Sequence, residues 1–333
     1  MKLGSLFSGI GLFDLGLENV GFETIWQVEI DKHARQVLEH HWPNVPKYED
    51  IRAIDWSEVE KPDALAGGFP CQPFSSAGKR KGQADERYLW PEFYRAIRSL
   101  RPRIVIVENV SALLGSPEWG TVLGDLAEAG YDAKWACIRA SDVGAPHRRE
   151  RIFVIAYANS HGDRQGRGSL YAETERDGTH DSRGVRNGGQ AVADTESLTG
   201  RISYGDRQVA SHSDSSGLQG REREARQPSA CVQWGVYEPA IRRWERLTRP
   251  APRPTDDRGR LEPRFVEWLM GAPEGWTGYQ PCAEHVDLPK PGCPMCKVAK
   301  QGTSRAAALK GLGNGVVVQV SEEVGKWALE CAA

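Results

Sequence analysis

The chain has 333 residues, 39% of them hydrophobic, and a formal net charge of −2. That length holds one large domain or two smaller ones, and no apolar run approaches the roughly 20 residues of a membrane-spanning helix. The near-neutral charge excludes bulk attraction to nucleic acid, so any such contact must come from local basic patches.

The opening MKLGSLFSGIGLFDLG has the outline of a leader peptide, but Asp14 and Glu18 interrupt it. Its glycines suit a turn better, and a cytoplasmic protein is expected. Residues 2–8 read as a strand entering that turn, 12–20 as a helix, 24–30 as a strand and 32–41 as a helix. A short strand follows at 63–66. Apolar residues recur at helical spacing over 88–100. Residues 103–108 form a continuous apolar run ending in an acid, typical of a buried parallel strand. A helix is predicted over 119–129 and another buried strand over 151–156. Alternating strands and helices predict a doubly wound α/β sheet.

Composition then shifts. From about 158 to 229 the chain is rich in Gly, Ser, Asp, Arg and Gln, and is expected to be loop-rich or disordered. A weak repeat (DTESLTGR from Asp194, DSSGLQGR from Asp214, a looser NSHGDRQGR from Asn159) has too few apolar positions for a solenoid. Structure is expected to resume near Cys231. A helix over 264–270 should stop at Gly271, and GLGNGVVVQV reads as a glycine turn leading into a last helix.

Four clusters carry chemistry. Phe7-Ser-Gly9-Ile-Gly11 follows a strand and opens a helix, where glycines allow close approach of a ligand. Glu29 closes the next strand about 20 residues on, a usual place for an acid that holds ribose hydroxyls. In Gly67-Gly-Phe-Pro70-Cys71-Gln-Pro73-Phe74-Ser75, a cysteine between two prolines is held at the sheet's C-terminal edge. Glu108-Asn109-Val110 puts a carboxylate at the end of a buried strand, costly unless it is paired or works as an acid. His147-Arg-Arg149-Glu-Arg151 offers a clamp for phosphate or carboxylate. Each has a structural alternative: a tight turn, an inert thiol, a capping acid or a solvated charge run.

Taken in order, these clusters resemble the cytosine-5 DNA methyltransferase family. FSGIGLFDLGLE resembles its cofactor motif, Glu49-Asp50-Ile51 its adenine-contacting segment, GGFPCQPFSSAG its catalytic loop and Glu108-Asn-Val its ENV motif. His147-Arg-Arg149-Glu-Arg151 is similar to its Q-x-R-x-R motif, RFVEWLMGAPEGWT to the segment leaving the target-recognition region, and GLGNGVVVQV to its final motif. The matches are collinear over 3–157 and 262–329. Three positions depart from the pattern: Leu12 where a third glycine is common, His147 for glutamine, and Gly315 where serine or alanine is commoner.

The resemblance implies a Rossmann-like methyltransferase sheet, mostly parallel, with a smaller loop-rich target-recognition region. It implies S-adenosylmethionine bound by Phe7, Gly9, Gly11, Leu12, Glu29, Asp50, Ile51, Pro70 and Asn314. It implies Cys71 as covalent nucleophile, with Glu108, Arg149 and Arg151 completing the catalytic set on a cytosine flipped out of duplex DNA. The corresponding division is 1–157 plus 304–333 as catalytic domain and 158–280 as target-recognition region, with 158–229 largely irregular. A monomer is expected, no membrane partner, and a cognate restriction enzyme is left open. A tRNA cytosine methyltransferase or an inactive DNA-binding relative are the alternatives.

Seven cysteines do not form a secreted disulfide framework. Four soft residues in 281–303, Cys282 with His285 and Cys293 with Cys296, form C-x2-H and C-x2-C pairs suited to one tetrahedral zinc.

Overall fold

The computed structural model describes residues 1–70, 88–158, 232–279 and 303–332. The strands are β1 (Lys2–Leu6), β2 (Glu23–Val28), β3 (Lys47–Tyr48), β4 (Ala64–Gly67), β5 (Ile104–Asn109), β6 (Tyr131–Arg139) and β7 (Glu150–Ala158). The helices are α1 (Leu12–Glu18), α2 (Lys32–His41), α3 (Trp90–Leu100), α4 (Pro117–Glu128), α5 (Glu238–Leu247), α6 (Pro263–Leu269), α7 (Arg305–Asn314) and α8 (Val318–Ala332).

All seven strands form one sheet in the order β3-β2-β1-β4-β5-β7-β6. β1 to β5 pair in parallel, while β7 runs antiparallel to both its neighbours. The fold is the expected doubly wound, mostly parallel α/β sheet. Its two faces follow from the period of two in the central strands. Ile104 and Ile106 join one buried cluster, with α1, α8 and the tryptophans of 244–276. Val105 and Val107 join the other, with α3 and its neighbours.

Helix starts follow local chemistry. Asp31 caps α2 by accepting from the backbone N–H groups of His33 and Ala34, at 2.9 and 3.1 Å. Prolines stand in the first turn of α3, α4, α5 and α6, where the missing N–H costs nothing. Gly271, at φ 68°, ends the α6 segment as expected.

Two strands were not predicted. β3 has only two residues. β6 is an edge strand that buries few of its nine residues, so its apolar pattern is weak. One expectation is corrected: Gly311 to Asn314 do not form a turn but complete α7. Ser304 caps that helix and Arg-Ala-Ala-Ala-Leu-Lys carries it forward. Its glycines serve packing, since a Cβ on Gly311 would press into Ile10. The chain turns later, between Asn314 and Val318.

The described part of 232–279 does not stand apart from the sheet. Ile241, Trp244, Trp268, Met270 and Trp276 share one buried cluster with Leu3, Ile104 and Phe153. The irregular character expected of 158–229 and the proposed zinc knuckle lie outside the described residues, apart from Ala158 at the end of β7 and Thr303.

Candidate active site

The sheet order reverses beside β1: β2 and β3 lie on one side, β4 and β5 on the other. Open α/β sheets bind ligands at the C-terminal ends of the strands at such a switch point. The Phe7–Gly11 turn leaves β1 there, Gly68 to Pro70 leave β4, and Glu108 and Asn109 end β5. Because β7 is antiparallel, its beginning lies at that same edge, with Ile152 opposite Asn109 and Phe153 opposite Glu108. Segments about 140 residues apart in the chain thereby meet at one edge of the sheet.

The cofactor side is built by backbone conformation. Phe7, Gly9 and Gly11 all have positive φ, at 54, 56 and 78°. Space beyond a Cβ on Gly9 is open, so a ligand can approach its backbone. Gly11 is different: a side chain there would collide with Trp42. Glu29 accepts from the N–H of Gly9 and of Asp31, each at 2.7 Å. Burial holds its carboxyl above the usual carboxylate range, against the pull of those two N–H groups. Its two oxygens retain lone pairs for further donors. Next to it Ile30 is 61% exposed, an apolar surface beside the acid. Ile51 is buried, and Asp50 is held by the Arg52 guanidinium at 2.8 Å. A cleft of about 470 Å³ near the β3 edge is lined by Asp50 but by neither Gly9 nor Glu29. Asn314 is exposed at the end of α7. The open cradle at Gly9 and the Glu29 acceptors fit a ribose-bearing ligand.

The catalytic side centres on Glu108, whose side chain is 13% exposed. Arg151 Nε lies 3.0 Å from its Oε1. Burial raises the Glu108 pKa, opposed by the positive charges of Arg151 and Arg149. Gly68 lies beneath it, and a Cβ there would press on Glu108 Oε2, the movable end of that side chain. Gly68→Ala should push the carboxyl aside and loosen the Arg151 pair while costing roughly 1 kcal/mol or less in thermal unfolding; a larger loss would show that the carboxyl cannot move. Asn109 is buried, and its Nδ2 donates to Phe69 O at 3.1 Å. It thereby ties down the backbone just ahead of Pro70, the last residue described before Cys71. Cys71 itself lies outside the described residues.

Arg149 differs from its expected use. Its NH2 donates to Gly313 O at 2.8 Å and Gly315 O at 2.6 Å. Burial and the nearby Arg151 charge lower its pKa to about 10. Nε is buried with no partner among the described residues. The guanidinium therefore joins the catalytic edge to the α7–α8 junction. His147 Nε2 lies 3.0 Å from Leu269 O; a carbonyl can only accept, so Nε2 carries the proton.

Sequence reasoning missed several supports. Leu12 and Gly315, two separate departures from the family pattern, touch: a Cβ on Gly315 would lie 3.0 Å from Leu12 Cδ1. Glu267, fully buried within RFVEWLMGAPEGWT, accepts from Gly275 N and from Thr277 N and Oγ1. That fixes the loop carrying Trp276, whose Nε1 donates to Ile10 O at 2.8 Å. Lys310 pairs with Asp31 at 2.7 Å. Leu12, Gly315, Glu267 and Trp276 fall in family-like segments, whereas nothing in the sequence marked the Lys310–Asp31 pair. Among the described residues no cluster could hold a metal, and no helix is long and apolar enough to cross a membrane.

The chain is similar to known methyltransferases. The chain is 38% identical over 166 residues to the type II methyltransferase M.Bsp6I of Bacillus sp. (strain RFL6), covering 48% of this chain and 53% of that protein. It is 35% identical over 163 residues to the type II methyltransferase M.HhaI of Haemophilus parahaemolyticus, covering 48% and 50%. The chain thus spans about half the length of the curated relatives it matches. Among solved structures, the S. pombe Dnmt2 methyltransferase is similar with a TM-score of 0.54 at 17% identity, over 99% of both chains. The Entamoeba histolytica methyltransferase EhMeth gives 0.55 at 13% identity, over 100% of this chain and 99% of that one. At those identities the likeness shows the fold. The family model for C-5 cytosine-specific DNA methylase matches residues 1–246, and the chain belongs to that family.

Proposed function

We propose that the protein methylates carbon 5 of cytosine in specific duplex DNA sites, with Cys71 as covalent nucleophile. The observation that carries this reading is the Glu108–Arg151 pair, set on Gly68 three residues before Cys71 and beside the open turn at Gly9. Carbon 5 of cytosine is a weak nucleophile. Addition of the Cys71 thiolate to carbon 6 forms an S–C bond and makes carbon 5 electron-rich. Glu108, whose pKa burial raises, would in its protonated form donate at ring nitrogen 3 and draw electrons from carbon 6. Arg151 orients Glu108 and faces the base carbonyl. Bound S-adenosylmethionine would supply the methyl group, held through the Gly9 backbone and Glu29. Loss of the carbon 5 proton to a base and cleavage of the S–C bond then free the thiolate. The target cytosine must leave the stack, at a cost of a few kcal/mol.

The geometry of Arg149 favours a role in holding the α7–α8 junction over one on the DNA. The test is covalent trapping: the protein incubated with S-adenosylmethionine and duplex DNA bearing 5-fluorocytosine should form a denaturation-resistant adduct. No adduct would sink the proposal. The same measurement with tRNA separates the RNA alternative.

The Cys282, His285, Cys293 and Cys296 spacing supports one structural zinc in addition. Elemental analysis should find one equivalent in the purified protein; metal-free, folded protein rules it out.

A further inference from the structure

Asp14 is a buried ionisable group that the proposed chemistry leaves unused. It lies within α1 at 0% exposure, behind the Phe7–Gly11 turn. A carboxylate at that depth is costly unless it is hydrogen-bonded. Ser5 Oγ donates to Oδ1 and Gln27 Nε2 donates to Oδ2, each at 2.7 Å. Ser5 Oγ also lies 2.8 Å from Ser8 Oγ. Ser5 has one hydroxyl proton and gives it to Asp14, so Ser8 donates to Ser5. A chain of donors therefore runs from Ser8 through Ser5 to Asp14, and Gln27 meets it from β2. Ser8 stands between Phe7 and Gly9, and its N–H is held by Val28 O at 3.0 Å.

Among the described residues no cation neutralises Asp14. On the elements packed against α1, Lys2 of β1 pairs with Glu60, Glu23 of β2 is exposed, and Glu322 of α8 accepts from Asn19. Also on α8, Glu323 pairs with Lys326. On α2, Arg35 pairs with Glu49 and His41 stacks on Trp276. Glu18, one turn along α1, adds repulsion. Burial first, then that repulsion, raise the Asp14 pKa to about 6 against the two hydrogen bonds.

We propose that Asp14 is a positioning residue whose ionised carboxylate fixes the direction of the hydrogen-bond chain beneath the 7–11 turn, and through it the affinity of that turn for S-adenosylmethionine. This rests on the cofactor reading above. A protonated Asp14 must donate through one oxygen. Gln27 Oε1, buried without a partner among the described residues, is an acceptor within the same side chain once the amide turns. Ser5 is the other acceptor, and if it accepts from Asp14 its own proton turns towards Ser8. Only the Ser5 change undoes the one-way chain: it sends the Ser8 proton to the backbone carbonyls of Ser5 or Val28, 3.3 and 3.5 Å away, whereas turning Gln27 leaves Ser8, Ser5 and Asp14 as they are.

The test is equilibrium binding of S-adenosylmethionine to the full chain from pH 5 to pH 8, for the parent, Asp14→Asn and Ser5→Ala. Affinity of the parent should fall roughly three- to tenfold as pH drops through about 6, the scale of one net hydrogen bond. Asp14→Asn should bind roughly three- to tenfold more weakly than the parent at pH 8, by the same reasoning, and should lack that step. Ser5→Ala keeps Asp14 ionisable but cuts its link to Ser8, and should lack the step as well. It decides the matter if Asp14→Asn does not fold. Glu29 is present in all three proteins, so the informative quantity is the difference between their profiles. Folded variants with the parent's affinity and pH profile would overturn the role of Asp14. A folded parent that binds no S-adenosylmethionine at any pH would instead refute the cofactor reading.

Discussion

Cys71→Ser is expected to abolish the covalent adduct with 5-fluorocytosine DNA and to reduce methyl transfer by roughly 10⁴-fold or more, the scale seen when a covalent enzyme loses its nucleophile. The substitution changes one atom, sulfur to oxygen. What it removes is the thiolate, which forms near neutral pH far more readily than an alkoxide. The approach to carbon 6 depends on the backbone ahead of Cys71, and that backbone is tied by Asn109 Nδ2 to Phe69 O. Methyl transfer from radiolabelled S-adenosylmethionine measures the loss, and gel shift after denaturation measures the adduct. A Cys71→Ser protein that still forms the adduct would move the nucleophile elsewhere.

Glu108→Gln should lower the rate by about 10²–10⁴-fold, the usual contribution of a positioned general acid. Glutamine keeps the shape against Gly68 but cannot deliver a proton to ring nitrogen 3. The pH dependence gives a sharper reading. Burial raises the Glu108 pKa, so activity that needs its protonated form is present below that pKa and declines as pH rises through it. The variant should lack this alkaline decline. Stability follows the same sign. A raised folded-state pKa means that the contribution of Glu108 is full below its unfolded value, about 4.3, and is lost as pH rises through the folded value. Above that window glutamine carries no ionisation cost, so the variant should remain folded at pH 8 while losing activity. Thermal unfolding beside single-turnover methylation separates the two effects; an inactive variant that is also unfolded would void the assignment.

The supports around Glu108 explain why its position was legible but its partners were not. ENV in sequence marks a carboxylate at the end of a hydrophobic strand, and the run 104–107 announces that strand by its composition. Nothing in that run says that β7 returns antiparallel beside it and brings Arg151 within 3.0 Å. The same holds for Leu12 and Gly315. Each departs singly from the family pattern, yet they touch across about 300 residues of chain, a bulky side chain at one facing a glycine at the other. Arg149 is expected at the base or phosphate from its place in the family-like motif; that its Nη2 donates to two backbone carbonyls, at the end of α7 and just beyond it, is visible only in the fold.

By itself the sequence determined the alternation of strands and helices, the glycine turn after β1, the strand-end acids and the thiol between two prolines. These are encoded locally, in hydrophobic period, glycine and proline. Only the tertiary structure decided what the charged groups meet. Arg151 finds Glu108, Arg149 finds the α7–α8 junction, and Asp14 is sealed into a hydrogen-bond chain with no cation among the described residues. The reason is that a side chain's charge can be read from its identity, whereas burial and partners depend on which distant segments the sheet order brings to one edge.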